Sequence, residues 1–255
     1  MLVVVWLGAG KVKRFMYLDN HSPSWSTKAV LHTDNSFSKS AAFTYRTQTA
    51  DGRSIKGNVY ICDTVSLGNA AFTQVPFYEM DYIDREMGDG VLGIDILSKG
   101  VVKVDFRNNL MTFASSIDSI KGIGEASILP SRFTEKSIDI DVGFRNDITK
   151  TLSLDLGCNE DIMMPADEFL PIKKNNSGYR EDVAVFSTPG SSVKVHNLRV
   201  RDTISVGGRS FIAGIASNNV VKEKLMGLNF FRQFDFIVLD YLNSRVYIAK
   251  PGLYQ

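Results

Sequence analysis

The chain has 255 residues, of which 44% are apolar, and its 29 basic and 28 acidic residues give a formal net charge of +1. This composition supports a sizeable core, and the length fits one large domain or two smaller ones. The charge balance offers no positive surface to a nucleic acid or an anionic membrane, so we expect neither as a partner. The only cysteines, Cys62 and Cys158, are too few for a disulfide framework and lack zinc-ligand spacing. We therefore expect two free, mostly buried thiols, no metal and no cofactor.

The first predicted element is a strand. The run from Met1 to Leu7 is apolar throughout, which predicts a buried strand. Seven apolar residues are too few to span a bilayer, and no basic residue precedes them as in a signal peptide. We expect no membrane span. The compartment is left unassigned, because a leader trimmed from an exported product would not be seen in this sequence.

The sequence repeats itself with a shift of 134 to 139 residues. Val91–Leu97 matches Leu225–Phe231, since each has two apolar residues, Gly, an apolar residue, Asp or Asn, and two apolar residues. A strand-turn-strand pattern follows each copy, at 102–113 and 236–248. Five collinear matches at a nearly constant shift indicate a tandem duplication. The other three matches pair Asp63–Gly68 with Asp202–Gly207, Tyr17–Asp19 with Ser153–Asp155, and Leu2–Trp6 with Ile138–Val142.

The duplication predicts two lobes, an N-terminal lobe of residues 1–120 and a C-terminal lobe of residues 121–255. A stretch rich in Gly and Ser, residues 115–135, separates them. Both copies consist mainly of short runs of Val, Ile, Phe, Tyr and Thr, so the predicted fold class is all-β with minor helix. Three short helical turns complete the prediction, at residues 95–99, 165–170 and 220–224.

An aspartate after an apolar strand, with an apolar-apolar-Gly element later in the same copy, resembles the aspartic peptidases. The resemblance covers nearly the whole chain and is closer to compact retropepsin-like units fused in tandem than to the longer pepsin-like lobes. It implies two acid-protease β-barrel lobes with a central cleft, and Asp19 and Asp155 facing each other across it as the catalytic pair. In that family the apolar-Gly elements, here Leu92-Gly93 and Met226-Gly227, pack beneath the catalytic loops.

The chemistry that the resemblance implies uses both carboxyl groups at once. Two carboxyl groups held about 3 Å apart share one proton. The ionised one acts as a general base on a water, and the protonated one polarises the scissile carbonyl. We therefore expect an endopeptidase acting on peptides or unfolded protein without a cofactor. Since each lobe supplies one aspartate, a monomer suffices.

The family also closes a hairpin flap over its substrate. The candidate flap turns are Asp51-Gly52 in the first copy and Pro189-Gly190 in the second, because both residue pairs favour tight turns. The alternative is that both are ordinary surface hairpins.

Both catalytic loops depart from the family pattern of Asp, then Thr or Ser, then Gly. Asn20 and Leu156 stand at the hydroxyl position, and His21 stands at the glycine position, where Gly157 is kept in the second loop. Ser22 and Cys158 come next. Leucine cannot make the hydroxyl's hydrogen bonds, and such sites depend on preorganisation. The sequence therefore supports two alternatives, an active endopeptidase and a catalytically degenerate fold that binds a peptide or protein partner. A structural domain with an empty, closed cleft is a third.

Several other residues have weaker functional interpretations. His21 as a base beside an aspartate and Cys158 as a nucleophile are hypotheses without an assigned partner. Asp95, Asp105 and Asp240 are predicted to be structural, since Asp is common at turns and strand ends. Asp105 matches Asp240 across the repeat, which favours a shared role.

Overall fold

A computed structural model describes residues 1–9, 11–48, 54–80, 88–145, 147–174, 178–188 and 191–249. The chain divides into two compact units, one of Met1–Lys99 with Ser187–Ser192, the other of Gly100–Phe186 with Val193–Gln255. Each unit contains a closed barrel of six β-strands. In the part of the chain that the structure describes, no helix is long and apolar enough to cross a membrane.

The first unit is built around a barrel of short strands. Its elements are β1 (Leu2–Leu7), β2 (Val12–Leu18), β3 (Trp25–Thr27), α1 (Lys28–Thr33), β4 (Phe37–Gln48), β5 (Ser54–Leu67), β6 (Ala70–Met80), β7 (Gly90–Leu92) and α2 (Ile94–Leu97). The strand order is β1-β2-β7-β3-β6-β5-β4. Pairing of β1 with β5 closes the barrel and leaves β4 on its edge. β2 runs parallel to β7, and β3 parallel to β6.

The strand β1 forms as predicted, but only one of its faces is buried. Val5 and Leu7 are fully buried, whereas Leu2 and Trp6 are 48% and 38% exposed. Successive side chains of a strand point to opposite faces, and only one face of a barrel strand points inward. A continuous apolar run therefore did not signal burial on both sides.

The second unit has a corresponding barrel and an additional sheet. Its elements are β8 (Val101–Asp105), β9 (Leu110–Ala114), β10 (Ser127–Leu129), β11 (Arg132–Phe133), β12 (Ile138–Phe144), β13 (Ile148–Asp155), β14 (Ile162–Pro165), α3 (Ala166–Lys173), β15 (Arg180–Thr188), β16 (Ser191–Val206), β17 (Arg209–Asn218), β18 (Leu225–Gly227), α4 (Leu228–Phe231), β19 (Phe236–Asp240) and β20 (Arg245–Ile248). The barrel sheet has the order β11-β12-β13-β18-β14-β17-β16-β15, closed by pairing of β12 with β16.

The two barrels have the same connectivity. The order β12-β13-β18-β14-β17-β16-β15 repeats that of the first unit strand for strand. The parallel pairs are repeated as well, β13 with β18 and β14 with β17. The predicted all-β tandem architecture is confirmed, because a shared order of non-consecutive strands follows directly from a duplicated chain.

The additional sheet has the order β10-β20-β19-β8-β9. The pairs β8–β9 and β19–β20 are the two predicted hairpins, and β8 pairs with β19 so that Asp105 lies opposite Phe236. Residues 100–114 end the first sequence copy, yet they lie in the same compact unit as the second copy. Pairing between equivalent strands of the two copies satisfies backbone groups that an edge strand would leave exposed.

Two of the three predicted helical turns are observed, as α2 and α3, and the prediction at 220–224 is wrong. The Asn218 side chain accepts hydrogen bonds from the N–H groups of Val220 and Val221 at 2.9 and 3.0 Å. Such a side-chain bond offers the backbone an alternative to helix. The helix of this region, α4, begins after Gly227, as α2 begins after Gly93.

The core of each unit consists of buried apolar side chains. Met16 and Phe77 are among the largest fully buried side chains of the first unit, as are Phe169 and Phe230 of the second. Both cysteines are free, as predicted, with Cys62 buried and Cys158 half-buried.

Candidate active site

Each predicted catalytic loop begins where a barrel strand ends, beside an apolar-Gly element. Asp19 follows β2, and Asp155 is the last residue of β13. The strand β2 lies beside β7, and β13 lies beside β18. The first loop therefore starts next to Gly93, which follows β7, and the second starts next to Gly227, which ends β18. The N–H of Asp19 donates to the Leu92 carbonyl at 3.2 Å. The barrel topology therefore positions the two aspartates equivalently, each within its own unit.

Each aspartate accepts a hydrogen bond from the backbone two residues further on. The N–H of His21 donates to Asp19 Oδ1 at 2.8 Å, and that of Gly157 donates to Asp155 Oδ1 at 2.7 Å. The N–H of Cys158 also donates to Asp155 Oδ1, at 3.2 Å. Bonds to a carboxylate are charge-assisted and fix its orientation. His21 thus supplies through its backbone the donor that Gly157 supplies in the second loop.

The residues after the two aspartates differ in chemistry but share the same environment. Asn20 and Leu156 are both fully buried, at 0% exposure. His21, Ser22 and Gly157 are half-buried. The position that carries a hydroxyl in the family is therefore a buried amide in the first unit and an apolar packing residue in the second.

Gly93 and Gly227 lie against the loops so closely that no side chain fits. A Cβ added at Gly93 would be 2.2 Å from the carbonyl carbon of Pro23 and 2.3 Å from the carbonyl oxygen of Ser22. One added at Gly227 would be 2.2 Å from the carbonyl oxygen of Glu160. Both glycines have extended backbone that any residue adopts. Glycine is therefore required by the close approach of two backbone segments.

The residue after each of these glycines fastens the loop with a backbone hydrogen bond. Ile94 N–H donates to the Ser22 carbonyl at 2.8 Å, and Leu228 N–H donates to the Cys158 carbonyl at 2.7 Å. Ser22 and Cys158 each lie three residues after the aspartate of their loop. The sequence departures in the loops have therefore left the backbone framework of both loops matched.

One comparison with known proteins bears on this framework. A family model described as Aspartyl protease matches residues 27–96, a segment that includes Gly93 and excludes both Asp19 and Asp155. Comparison with curated proteins finds no match. The family match and the two six-strand barrels together decide the fold. The chain has the fold of a tandem retropepsin-like aspartic protease.

Within this aspartic-protease fold, Asp95, predicted to be structural, contacts the first predicted catalytic loop, a placement that sequence reasoning missed. Its Oδ1 accepts the N–H of Ser24 at 2.9 Å and the hydroxyl of Ser24 at 2.8 Å. Ser24, on the first catalytic loop, is fully buried. Burial raises the pKa of the Asp95 carboxyl, although the hydrogen bonds from Ser24 act to lower it. The signal was a polar residue kept at the same place in both apolar-Gly elements, as Asp95 and Asn229.

The structural roles predicted for Asp105 and Asp240 are confirmed. Asp105 accepts the backbone N–H of Asn108 at 2.9 Å and its side-chain amide at 3.1 Å. Asp240 accepts the same two groups of Asn243 at 3.1 and 2.9 Å. Both aspartates therefore fix the turn of their hairpin in an Asx-type arrangement.

The candidate flap turns, Asp51, Gly52, Pro189 and Gly190, lie outside the described residues. Their flanking strands are described: β4 pairs with β5 as far as Gln48 opposite Ser54, and β15 lies beside β16. Tyr45 on β4 stacks edge-on against Trp25, with ring centroids 5.1 Å apart. Trp25 Nε1 donates in turn to the Ser22 hydroxyl oxygen at 2.7 Å. The stem of the first hairpin therefore packs against the first predicted catalytic loop.

Proposed function

We propose that this protein is an aspartic-type endopeptidase in which Asp19 and Asp155 together activate one water for peptide-bond hydrolysis. The observation that carries the proposal is the matched hydrogen bond to Oδ1 of each aspartate, 2.8 Å in the first loop and 2.7 Å in the second. The bond is present in both copies, including the loop in which His21 stands at the glycine position.

The proposed mechanism divides two roles between one pair of carboxyl groups. The pair holds a single proton and titrates as a unit. The ionised member removes a proton from the water as it attacks the scissile carbonyl, and the protonated member donates to the carbonyl oxygen. The tetrahedral intermediate collapses when a proton passes to the leaving amine.

The expected substrate is an extended segment of peptide or unfolded protein. The net charge of +1 provides no overall selection for acidic or basic chains. Since both aspartates are on one chain, we expect a monomer to be active.

Binding of a peptide or protein partner without hydrolysis is the second candidate function, and Leu156 is the observation that favours it. Its fully buried apolar side chain replaces the hydroxyl that ties the loops together in the family. A pair of carboxyl groups held less rigidly would keep a peptide-binding surface and lose turnover.

The test is cleavage of a denatured, labelled protein from acidic to neutral pH. We expect Asp19→Asn and Asp155→Asn each to lower the rate by about 10²–10⁴-fold, the usual contribution of a general acid or base. Asp147→Asn is the matched control, because Asp147 is exposed, lies at the opposite end of β13 and has a φ of 58° that asparagine tolerates. It should retain the wild-type rate.

The outcomes separate the two candidates. Full activity in Asp155→Asn would refute the endopeptidase assignment to this pair. Absence of cleavage by the wild type, together with saturable binding of the unfolded chain in an anisotropy titration, would establish the binding function instead.

A further inference from the structure

We propose that Asp95 is a positioning residue whose side chain, acting through Ser24, holds the loop that carries Asp19 in its catalytic geometry. The kinetic part of this inference rests on the proposed function. The positional part does not, because it concerns the loop itself and is measurable in a protein that cleaves nothing.

The contact is a short chain of hydrogen bonds in the interior of the first unit. Asp95 Oδ1 accepts both the N–H and the hydroxyl of Ser24, at 2.9 and 2.8 Å. The same hydroxyl oxygen accepts the N–H of Gly93 at 3.0 Å. Ser24 is 0% exposed, and the second carboxyl oxygen of Asp95 is also shielded from solvent.

Three consecutive residues hold the loop, and Asp95 is the one of the three that does so with its side chain. Gly93 provides the close backbone approach, Ile94 N–H binds the Ser22 carbonyl, and Asp95 binds Ser24. Without Asp95, Ser24 retains the bonds that its oxygens accept from Gly93 and Tyr78 N–H, but its own N–H and hydroxyl lose their acceptor. Two buried donors of Ser24 would then be unsatisfied, which is unfavourable. The loop is expected to move to recover partners for them.

In the second copy, the residue equivalent to Asp95 also binds its loop, although it donates a hydrogen bond where Asp95 accepts one. Asn229 stands two residues after Gly227, as Asp95 stands two residues after Gly93. Its side-chain amide donates to the carbonyl of Asn159, on the second catalytic loop. A carboxylate accepts from one loop, and an amide donates to the other. What is shared is attachment of the catalytic loop, which is why we assign Asp95 a positioning role.

Asp95→Asn is the decisive variant, because the asparagine carbonyl oxygen still accepts hydrogen bonds whereas the negative charge of the aspartate is removed. We expect Asp95→Ala to lower kcat by about 10²-fold with KM changed less than about threefold, since a misplacement of about 1 Å costs that much. Asp95→Asn should stay within about threefold of the wild type in both constants. Ser24→Ala removes the hydroxyl bond to Asp95 but keeps the backbone N–H bond, so it should lower kcat less than Asp95→Ala does. The double variant should lose less than the two single losses combined, because the hydroxyl bond is common to both.

Trp25 reports the loop position independently of activity. It directly follows Ser24, and its indole N–H donates to the Ser22 hydroxyl oxygen at 2.7 Å. The chain has two tryptophans, so a Trp6→Phe background leaves one indole signal in the ¹H–¹⁵N spectrum of the full chain. In that background we expect Asp95→Ala to shift or broaden the Trp25 signal and Asp95→Asn to leave it unchanged. Glu125→Ala is the control for loss of an exposed carboxylate.

An unchanged Trp25 signal in Asp95→Ala would overturn the inference, whether or not the wild type cleaves peptides. A shifted signal with unchanged kcat would overturn the catalytic consequence and leave the endopeptidase assignment standing. If the wild type cleaves nothing and Asp95→Ala still shifts the Trp25 signal, positioning is supported and only the proposed function is refuted. Loss of kcat in Asp95→Asn, with its signal unchanged, would show that the charge acts directly and would also overturn the inference.

Discussion

Replacing Gly93 with alanine tests how tightly the first catalytic loop packs on its apolar-Gly element. The new methyl group would lie 2.2 Å from the carbonyl carbon of Pro23 and 2.3 Å from the carbonyl oxygen of Ser22. Carbon atoms in contact are normally about 3.5 Å apart, so the loop must move by roughly 1 Å. Both contacted atoms are backbone, and no side-chain rotation relieves the overlap. Overpacking of this kind costs about 1–3 kcal/mol.

Two measurements test this prediction. One is thermal unfolding of the variant, and the other is the rate at which the folded variant cleaves a denatured substrate. A loss of about 2 kcal/mol lowers the melting temperature of a unit of about 100 residues by roughly 8–16 °C. The displaced loop should also lower the cleavage rate by about 10²-fold. Gly124→Ala is the matched control, since a Cβ at Gly124 meets nothing within 4 Å and its φ lies outside the left-handed region. Melting of Gly93→Ala within about 2 °C of the wild type would refute the packing argument.

Three further predictions concern the carboxyl group of Asp95, the reactivity of the two thiols, and the hairpin turns of Asp105 and Asp240. Burial raises the pKa of the Asp95 carboxyl above its ordinary value of 3.8. The stability that this shift contributes is therefore complete below pH 3.8 and is lost as pH rises through the folded-state pKa. Urea unfolding should show this loss in the wild type but not in Asp95→Asn, and identical pH profiles would contradict the prediction. Alkylation near pH 8 should label Cys158 and spare Cys62, because Cys62 is fully buried and burial raises the pKa of its thiol to about 11; equal labelling by mass spectrometry would count against this. Asp240→Ala should lower the free energy of unfolding by about 1–3 kcal/mol, and Asp105→Ala by less, since Asp240 is fully buried and Asp105 partly exposed; the reverse ranking in denaturant titrations would be inconsistent with the proposed turn role.

The tandem fold was predictable because a duplication repeats its constraints. The match between Val91–Leu97 and Leu225–Phe231 located two glycines whose close contacts with the loops admit no side chain. The two hairpins that follow were predictable from their turns. Errors arose where one contact overrode a local pattern, as at 220–224, where the Asn218 side chain binds backbone N–H groups and prevents a helical turn.

The site was less predictable, because its key contacts join residues far apart in sequence. Asp95 and Ser24 are 71 positions apart, and nothing local to either residue indicates the pairing. At His21 the family pattern refers to a side chain, while the retained interaction uses the backbone N–H that every residue except proline has. The histidine at position 21 therefore changes the side chain of the first loop but keeps this backbone hydrogen bond.

The most direct test of a single site built from both copies is titration of the full chain with a hydroxyl-bearing peptide analogue of the tetrahedral intermediate. Such analogues bind at least about 10²-fold more tightly than substrates when both carboxyl groups contact the hydroxyl. We predict one analogue bound per chain, and a loss of about 10²-fold or more in affinity for both Asp19→Asn and Asp155→Asn. Wild-type affinity in either variant, or two analogues bound per chain, would contradict the account.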